Sequence, residues 1–321
     1  MWHREERSRS DEQRRRMDRF ARRVIFAVAL TAVVIIALIF VFIFNEALPV
    51  LTDPAIMEQA NLRQFFWPAE GAEQASRYMW QPVGTVPKYS LIPLIVGTLK
   101  TTLLALVIAA PLAIAAALYT SEFAPRRWRE TIKPVIELLA GIPSVVLGFF
   151  ALVVLASWLQ QLFGFESRLN AVTAGTALAL ALIPIIYTVC DDALNAVPSS
   201  YREASLALGA SRWQTAIGVV LPAARPGIFA ALLLGFGRAI GETMIVLMAS
   251  GNAAIVSADV TDSVRTLSAT IAAELGEVVF GEPHYHTLFF IGALLFVTTF
   301  IINSCGAYVI RRTQRRLEGS A

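Results

Sequence analysis

GIFAALLLGFGRAIGETMIVLMAS, residues 227–250, carries two charges, Arg238 and Glu242, inside an otherwise uncharged and mostly apolar run. The run is long enough to cross a bilayer, which takes roughly 20 residues of helix. An arginine near the centre of such a span costs about 2.5–3.5 kcal/mol even on the lenient insertion scale, so packing alone rarely places one there. Its guanidinium keeps its charge, and its fork of N–H donors fits carboxylate and phosphate oxygens. Glu242 follows at i+4, on the same face of a continuous helix, where it can neutralise the guanidinium. The pair reads as a membrane-buried anion site; the competing reading is an ion pair that only locks two helices together. Gly237 and Gly241, at GxxxG spacing around the pair, allow another backbone to approach closely, and Gly235 adds room.

The rest of the chain has the same texture. Hydrophobic residues make up 56% of its 321 positions, and the mean hydropathy of +0.61 is too high for a soluble domain of that size. The apolar matter falls into six blocks of spanning length: about Val24–Phe44, Pro93–Tyr119, Val135–Leu159, Ala171–Val189, Gly227–Ala249 and Thr287–Ile310. The fold class that follows is an all-α polytopic membrane protein with six transmembrane helices. The first block exceeds the roughly 7–15 apolar residues of a secretion-signal core, and Asn45-Glu-Ala-Leu-Pro49 is a poor cleavage site, so it is expected to be a retained anchor.

With the N-terminus in the cytoplasm, the four cytoplasmic segments hold nine, four, three and four Lys and Arg residues, 20 altogether, against five in the three external loops. Lys100 and Arg238 lie within spans. That bias places both the N and C termini in the cytoplasm, and makes the net charge of +3 a topology signal. The basic run Arg4–Arg23 also carries five acids and abuts a span. It fits an anchor that prefers anionic membrane lipid rather than a nucleic-acid-binding arm. The expected organisation is a basic cytoplasmic tail (1–23), a first transmembrane helix (24–44), an external loop (45–92), a five-helix core (93–310) containing a cytoplasmic loop (191–226), and a second cytoplasmic tail (311–321).

Neither a metal nor a cofactor is expected. Cys190 and Cys305 fall at cytoplasmic ends of spans, where thiols stay reduced, and His3, His284 and His286 do not fit a metal motif. The external loop is rich in proline and carries Phe65-Phe-Trp67 and Trp80, residues expected to lie at the membrane surface around a short helix; the loop is alternatively a docking face for an external partner. Lys100 either lines a passage or snorkels outward. Gly141-Ile-Pro-Ser144 is a helix break of the kind tolerated where backbone faces protein or a cavity. Within 191–226, Ser200-x-x-Glu203 and Ser211-x-x-Gln214 have capping-box spacing, and Gly209 supplies a left-handed helix stop. Two short helices around a glycine turn follow, either resting on lipid or offered to a cytoplasmic partner.

Glu203-Ala-Ser-Leu-Ala-Leu-Gly209, nine residues, then Val219-Val-Leu-Pro222 resembles the coupling loop of ABC-importer permeases, with Ser205 and Val219 as departures from its usual Ala and Ile. Ile95-Val-Gly-Thr-Leu99, Glu137-Leu-Leu-Ala-Gly-Ile-Pro-Ser-Val-Val-Leu-Gly-Phe149 and Gly237-Arg-Ala-Ile-Gly-Glu-Thr-Met244 are similar to the phosphate-importer permease family (PstC). The resemblance implies a type I ABC-importer permease fold in the bacterial inner (plasma) membrane. It implies a heterodimer with a second, PstA-like permease, two PstB-like ATPase subunits, an extracytoplasmic phosphate-binding protein, and phosphate as cargo. It also implies that Glu203, Ala204, Gly209, Leu221 and Pro222 engage the ATPase, and that Arg238 and Glu242 serve phosphate translocation.

On this reading phosphate displaces Glu242 from Arg238 in one state and Glu242 reclaims the guanidinium in the other. The chain contains no Gly-x-x-x-x-Gly-Lys-Ser/Thr loop, so the energy comes from a partner chain and this subunit is not an enzyme. Alternatives are a permease for sulfate, molybdate or phosphonate, and an ATP-independent channel or sensor. An intramembrane hydrolase is disfavoured because Asp191 and Asp192 are adjacent and face different sides of a helix.

Overall fold

The computed structural model describes residues 2–68, 78–84 and 86–318, with side chains described from 17 to 308 within those stretches. Parts of the expected 45–92 loop (69–77 and 85) and of the 311–321 tail (319–321) lie outside the described residues. A long helix, α1 (Trp2–Ala47), unites the basic tail and the first span. Three short helices follow, α2 (Pro49–Thr52), α3 (Pro54–Gln59) and α4 (Leu62–Phe66), and then a strand pair, β1 (Trp80–Gln81) antiparallel to β2 (Lys88–Tyr89). Next come α5 (Ile92–Leu118), which runs into a wider π-type turn at Tyr119–Phe123, and α6 (Arg126–Ala140). The helices α7 (Ser144–Phe150) and α8 (Ala156–Phe163) form one rod through a second π turn, and α9 spans Ala171–Asn195.

The second half begins with α10 (Ser199–Ala207), α11 (Arg212–Thr215) and α12 (Leu221–Ala223). It continues with α13 (Arg225–Ile240), α14 (Met244–Ala249), α15 (Leu267–Glu274) and α16 (Pro283–Glu318). Among the described residues, five helices are long and apolar enough to cross a membrane: Met17–Thr52, Ile92–Phe123, Ser144–Phe163, Ala171–Asn195 and Pro283–Tyr308. The pair Arg212–Ala223 and Arg225–Ile240, bent by 67° at Ala224, supplies a sixth.

α5 and α9 form the centre. Ala105, Ala109, Ala113 and Ala117 recur every four residues along one face of α5 and are fully buried with Ala174, Ala177 and Leu178 of α9. Small side chains at that spacing let two helices close in where no hydrophobic effect drives them together. Gly175 marks how close: a Cβ there would lie 2.7 Å from the Leu104 Cβ. α13 packs against this pair and α16 against α13, while α1 touches chiefly α16, where Phe40 and Phe44 meet Phe296.

Three expectations need correction. The third span is Ser144–Phe163 rather than Val135–Leu159, because Gly141-Ile-Pro143 ends α6 outright: Pro143 has no N–H to continue the ladder, and α6 buries none of its residues in the chain. The fifth span does not continue from Gly227 to Ala249 but stops at Ile240. The external loop is not a loop with one interfacial helix. Phe65 and Trp80 are buried together with Val50, Tyr89 and Leu91 in a small core against α15 and α16, and of the expected surface aromatics Trp67 stays exposed.

Gly97 positions the segment that later meets the site. A Cβ at Gly97 would sit 2.2 Å from the Arg265 carbonyl oxygen, so the chain before α15 crosses α5 at a spot where only a glycine fits. The Leu267 N–H then donates to Thr98 Oγ1 at 3.0 Å, fixing the start of α15.

Candidate functional site

The helix carrying Arg238 ends immediately after it. Gly241 is the C-terminal cap of α13, and the Glu242 N–H closes back onto the Ala239 carbonyl at 3.2 Å. In a continuous helix the Glu242 carbonyl would accept from residue 246; here Ser268 Oγ donates to it at 2.8 Å. The donor that compensates the break thus comes from α15, delivered by the Gly97 crossing. Arg238 lies in the last turn of α13, the negative end of that helix, while Glu242 precedes α14 and its side chain accepts from the Thr243 N–H at 3.2 Å. Each charge sits at a helix end of opposite sign. Half-helices that present their ends to a charged group recur in transporter sites.

The two side chains are brought together but not clamped. Arg238 Nη2 and Glu242 Oε2 are 3.8 Å apart, beyond hydrogen-bond length. The Glu242 side chain is 7% exposed and that of Arg238 56%. The donors of the guanidinium fork therefore remain available. Arg238 borders two cavities: one of about 110 Å³ against Ser144, Leu147 and Ala181, and one of about 280 Å³ against Leu234, Gly237 and Asn303, with Ile185 on both. The Gly141–Ser144 break thus lies beside the arginine, although nothing in the sequence spacing connects them. Ser144 and Asn303 are the uncharged polar side chains on these walls.

Of the two glycines expected to admit a neighbouring backbone, Gly237 makes room for a side chain of α16 instead: its Cβ would meet Asn303 Oδ1 at 3.0 Å. Gly241 does not, since its Cβ would meet only carbonyls of its own helix, at 3.8 Å or more; its place is the helix stop. Gly235 does provide room, for Ile186 of α9 at 2.9 Å. Lys100 neither lines these cavities nor reaches free of the protein: its Nζ donates to the Asp259 carbonyl at 2.8 Å.

The second half of the site is the α10–α12 unit. Glu203, Ala204 and Gly209 are exposed on and after α10, and Leu221 and Pro222 are half-buried in α12. Gly209 has φ +86°; its N–H bonds the Leu206 carbonyl and the Ala210 N–H bonds the Ser205 carbonyl, the paired closure of a Schellman stop. Ser211 and Gln214 form the expected reciprocal capping box. Ser200 and Glu203 do not: α10 starts at Ser199 behind Pro198, with no side-chain cap. Ser205 bonds Thr215 Oγ1 at 2.9 Å, tying α10 to α11, so its hydroxyl has work that an alanine could not do.

Sequence reading missed what anchors this unit. Glu122, in the π turn after α5, pairs with Arg202 of α10 at 2.7 Å, and both side chains are largely buried (11% and 23% exposed). Asp191 is buried and takes Lys133 of α6 at 3.1 Å; that hydrogen bond holds the Lys133 amine above its usual range. The available signal was Glu122 itself, an acid at the end of an apolar run.

A family model described as "Binding-protein-dependent transport system inner membrane component" matches residues 109–316. The chain is 40% identical over 223 residues to "Probable ABC transporter permease protein YqgH" of Bacillus subtilis, covering 69% of this chain and 72% of that protein. It is 36% identical over 256 residues to "Phosphate transport system permease protein PstC" of Mesorhizobium japonicum, covering 74% and 77%. To the protein of that name in Xylella fastidiosa it is 31% identical over 310 residues, covering 91% of each. Among solved structures it is similar in fold to the inward-facing MetNI methionine ABC transporter, with TM-score 0.52 at 19% identity over 69% of this chain and 93% of the other. It is also similar to a bacterial ABC transporter that imports alginate, with TM-score 0.52 at 18% identity over 69% and 79%.

Proposed function

The chain belongs to the family of binding-protein-dependent transport system inner membrane components, and from that membership and the Arg238 site we propose that it is the permease subunit of an ATP-driven phosphate importer of the bacterial inner membrane. The observation that carries the reading is a permanently charged fork, Arg238, held at a helix break beside two cavities with its donors unclamped. Relatives covering most of the chain bear the name of phosphate permeases. Phosphate oxygens accept from arginine in bidentate fashion. Glu242, 3.8 Å away, tempers the guanidinium so that the anion is released rather than trapped.

Both termini and the α10–α12 unit face the cytoplasm on this reading, in keeping with the excess of basic residues on that side. Glu203, Ala204 and Gly209 meet an ATPase subunit, with Leu221 and Pro222 as the rear support of the unit. A second, PstA-like permease completes the pore, two PstB-like ATPases drive it, and an extracytoplasmic binding protein delivers phosphate. The test is ATP-dependent uptake of labelled phosphate by proteoliposomes holding the full complex. A tenfold excess of sulfate is expected to leave the initial rate unchanged within about 20%. Equal competition by sulfate would replace phosphate with a broader oxyanion specificity.

A further inference from the structure

The π turn Tyr119–Phe123 at the end of α5 is a junction for three other helices. The Thr120 hydroxyl meets Tyr187 OH at 3.0 Å and Asp191 Oδ1 at 3.4 Å, both on α9. Arg129 of α6 donates to the carbonyls of Thr120 and Ser121. Glu122 takes Arg202 of α10 through both carboxylate oxygens, from Nε at 3.2 Å to each and from Nη2 at 2.7 Å to Oε1. The remaining donors of Arg202 cap the end of α9, with Nη1 on the Val197 carbonyl at 2.6 Å and Nη2 on the Leu194 carbonyl at 2.9 Å. One guanidinium therefore binds α10, the end of α9 and the end of α5 at once. A π turn inside a helix recurs at functional positions, because it breaks the regular ladder and frees groups for such contacts.

We propose that the Glu122–Arg202 pair is the link through which displacement of α10 is passed to the spanning helices α5 and α9, making both residues positioning residues of the transport cycle. The inference rests on the reading of α10–α12 as the ATPase-coupling unit. α10 buries none of its residues in the chain. Among the described residues its side-chain hydrogen bonds to other elements are Ser205–Thr215 to α11 and the Arg202 contacts, and it also packs on the Ala216–Val220 turn that leads into α12. The first moves α11 with it; the second is the rigid path into the membrane core, because a charged bidentate contact has both direction and strength. α5 and α9 share the chain's central packing, so a pull on their common end moves them as one body and shifts Ile185 of α9, which borders both cavities beside Arg238.

The experiment compares the full complex carrying Glu122→Gln or Glu122→Asp with wild type, by phosphate taken up per ATP hydrolysed. Gly209→Asp is run alongside. Glu122→Gln is expected to keep the ATPase bound and hydrolysing while uptake per ATP falls at least fivefold. If Glu122→Gln does not assemble, Glu122→Asp, which keeps the charge but shortens the reach, is expected to lower the same ratio at least twofold. Unchanged uptake per ATP in whichever of the two variants assembles overturns the link. Normal uptake and ATPase binding in Gly209→Asp instead overturns the coupling-unit reading beneath it, so the two failures are distinguishable.

Discussion

Replacing Arg238 with glutamine is expected to lower ATP-dependent phosphate uptake by the assembled complex at least a hundredfold, while the subunits still co-purify and the ATPase still hydrolyses. Truncating one partner of a desolvated charge pair costs about 2–5 kcal/mol, and each 1.4 kcal/mol is a factor of about ten. A loss near two powers of ten thus follows if phosphate meets the guanidinium directly. Arg238→Lys keeps the charge but not the fork, and is expected to fall between wild type and glutamine. The competing reading, an ion pair that locks two helices, predicts failure of assembly instead. The geometry disfavours it: a lock would bring the groups to hydrogen-bond distance, whereas they stand 3.8 Å apart with the arginine side chain 56% exposed. Solvent screening of a half-exposed partner further weakens any purely structural contribution.

Gly209→Asp is expected to reduce uptake at least tenfold by uncoupling hydrolysis from transport or by releasing the ATPase. The chain itself accommodates the change. A Cβ at position 209 would meet nothing within 4 Å, and although φ is +86°, aspartate enters the left-handed region more readily than most residues. The expected cost to the fold is about 1 kcal/mol, within the range for non-glycine residues there. Folding and membrane insertion are therefore expected to survive, and the lost transport would report what the exposed turn touches. Co-purification of the ATPase and the ratio of phosphate moved to ATP hydrolysed together measure it.

The spans made of unbroken apolar sequence were legible, as were the Gly209 stop and the Ser211–Gln214 box, because each depends on residues within one turn of one another. The breaks were harder. Gly141-Ile-Pro143 announced a discontinuity but not that α6 would leave the core, since Val135, Leu138 and Leu139 are as apolar as the span that follows. The break after Ile240 was read as continuous helix: Gly241 alone disfavours a helix by only about 1 kcal/mol. The decisive donor, Ser268, lies 26 residues away. Arg238 and Glu242 were found by their cost in a membrane, yet their relation changed from partners on one helix face to charges at two helix ends. The Glu122–Arg202 pair, 80 residues apart, carried no periodic signal. The Ser200–Glu203 box failed because α10 already starts at Ser199, with Pro198 in the cap position two residues before Ser200.

On the proposed function, access alternates around a fixed charge. α13 and the segment before α14 hold Arg238 and Glu242 on either side of a break that α15 stabilises, and on the proposed reading α9 supplies the wall that moves. Ile185 borders both cavities beside Arg238, which makes it the position from which to ask whether the arginine faces water and anion or lipid. With Cys190 and Cys305 replaced by serine, Ile185→Cys in the reconstituted complex is expected to react with a membrane-impermeant thiol reagent, to be protected by millimolar phosphate, and to lose that protection when Arg238→Gln is added. A thiol at that position that reacts only with lipid-soluble reagents, or whose labelling is indifferent to phosphate with Arg238 in place, would contradict the anion site.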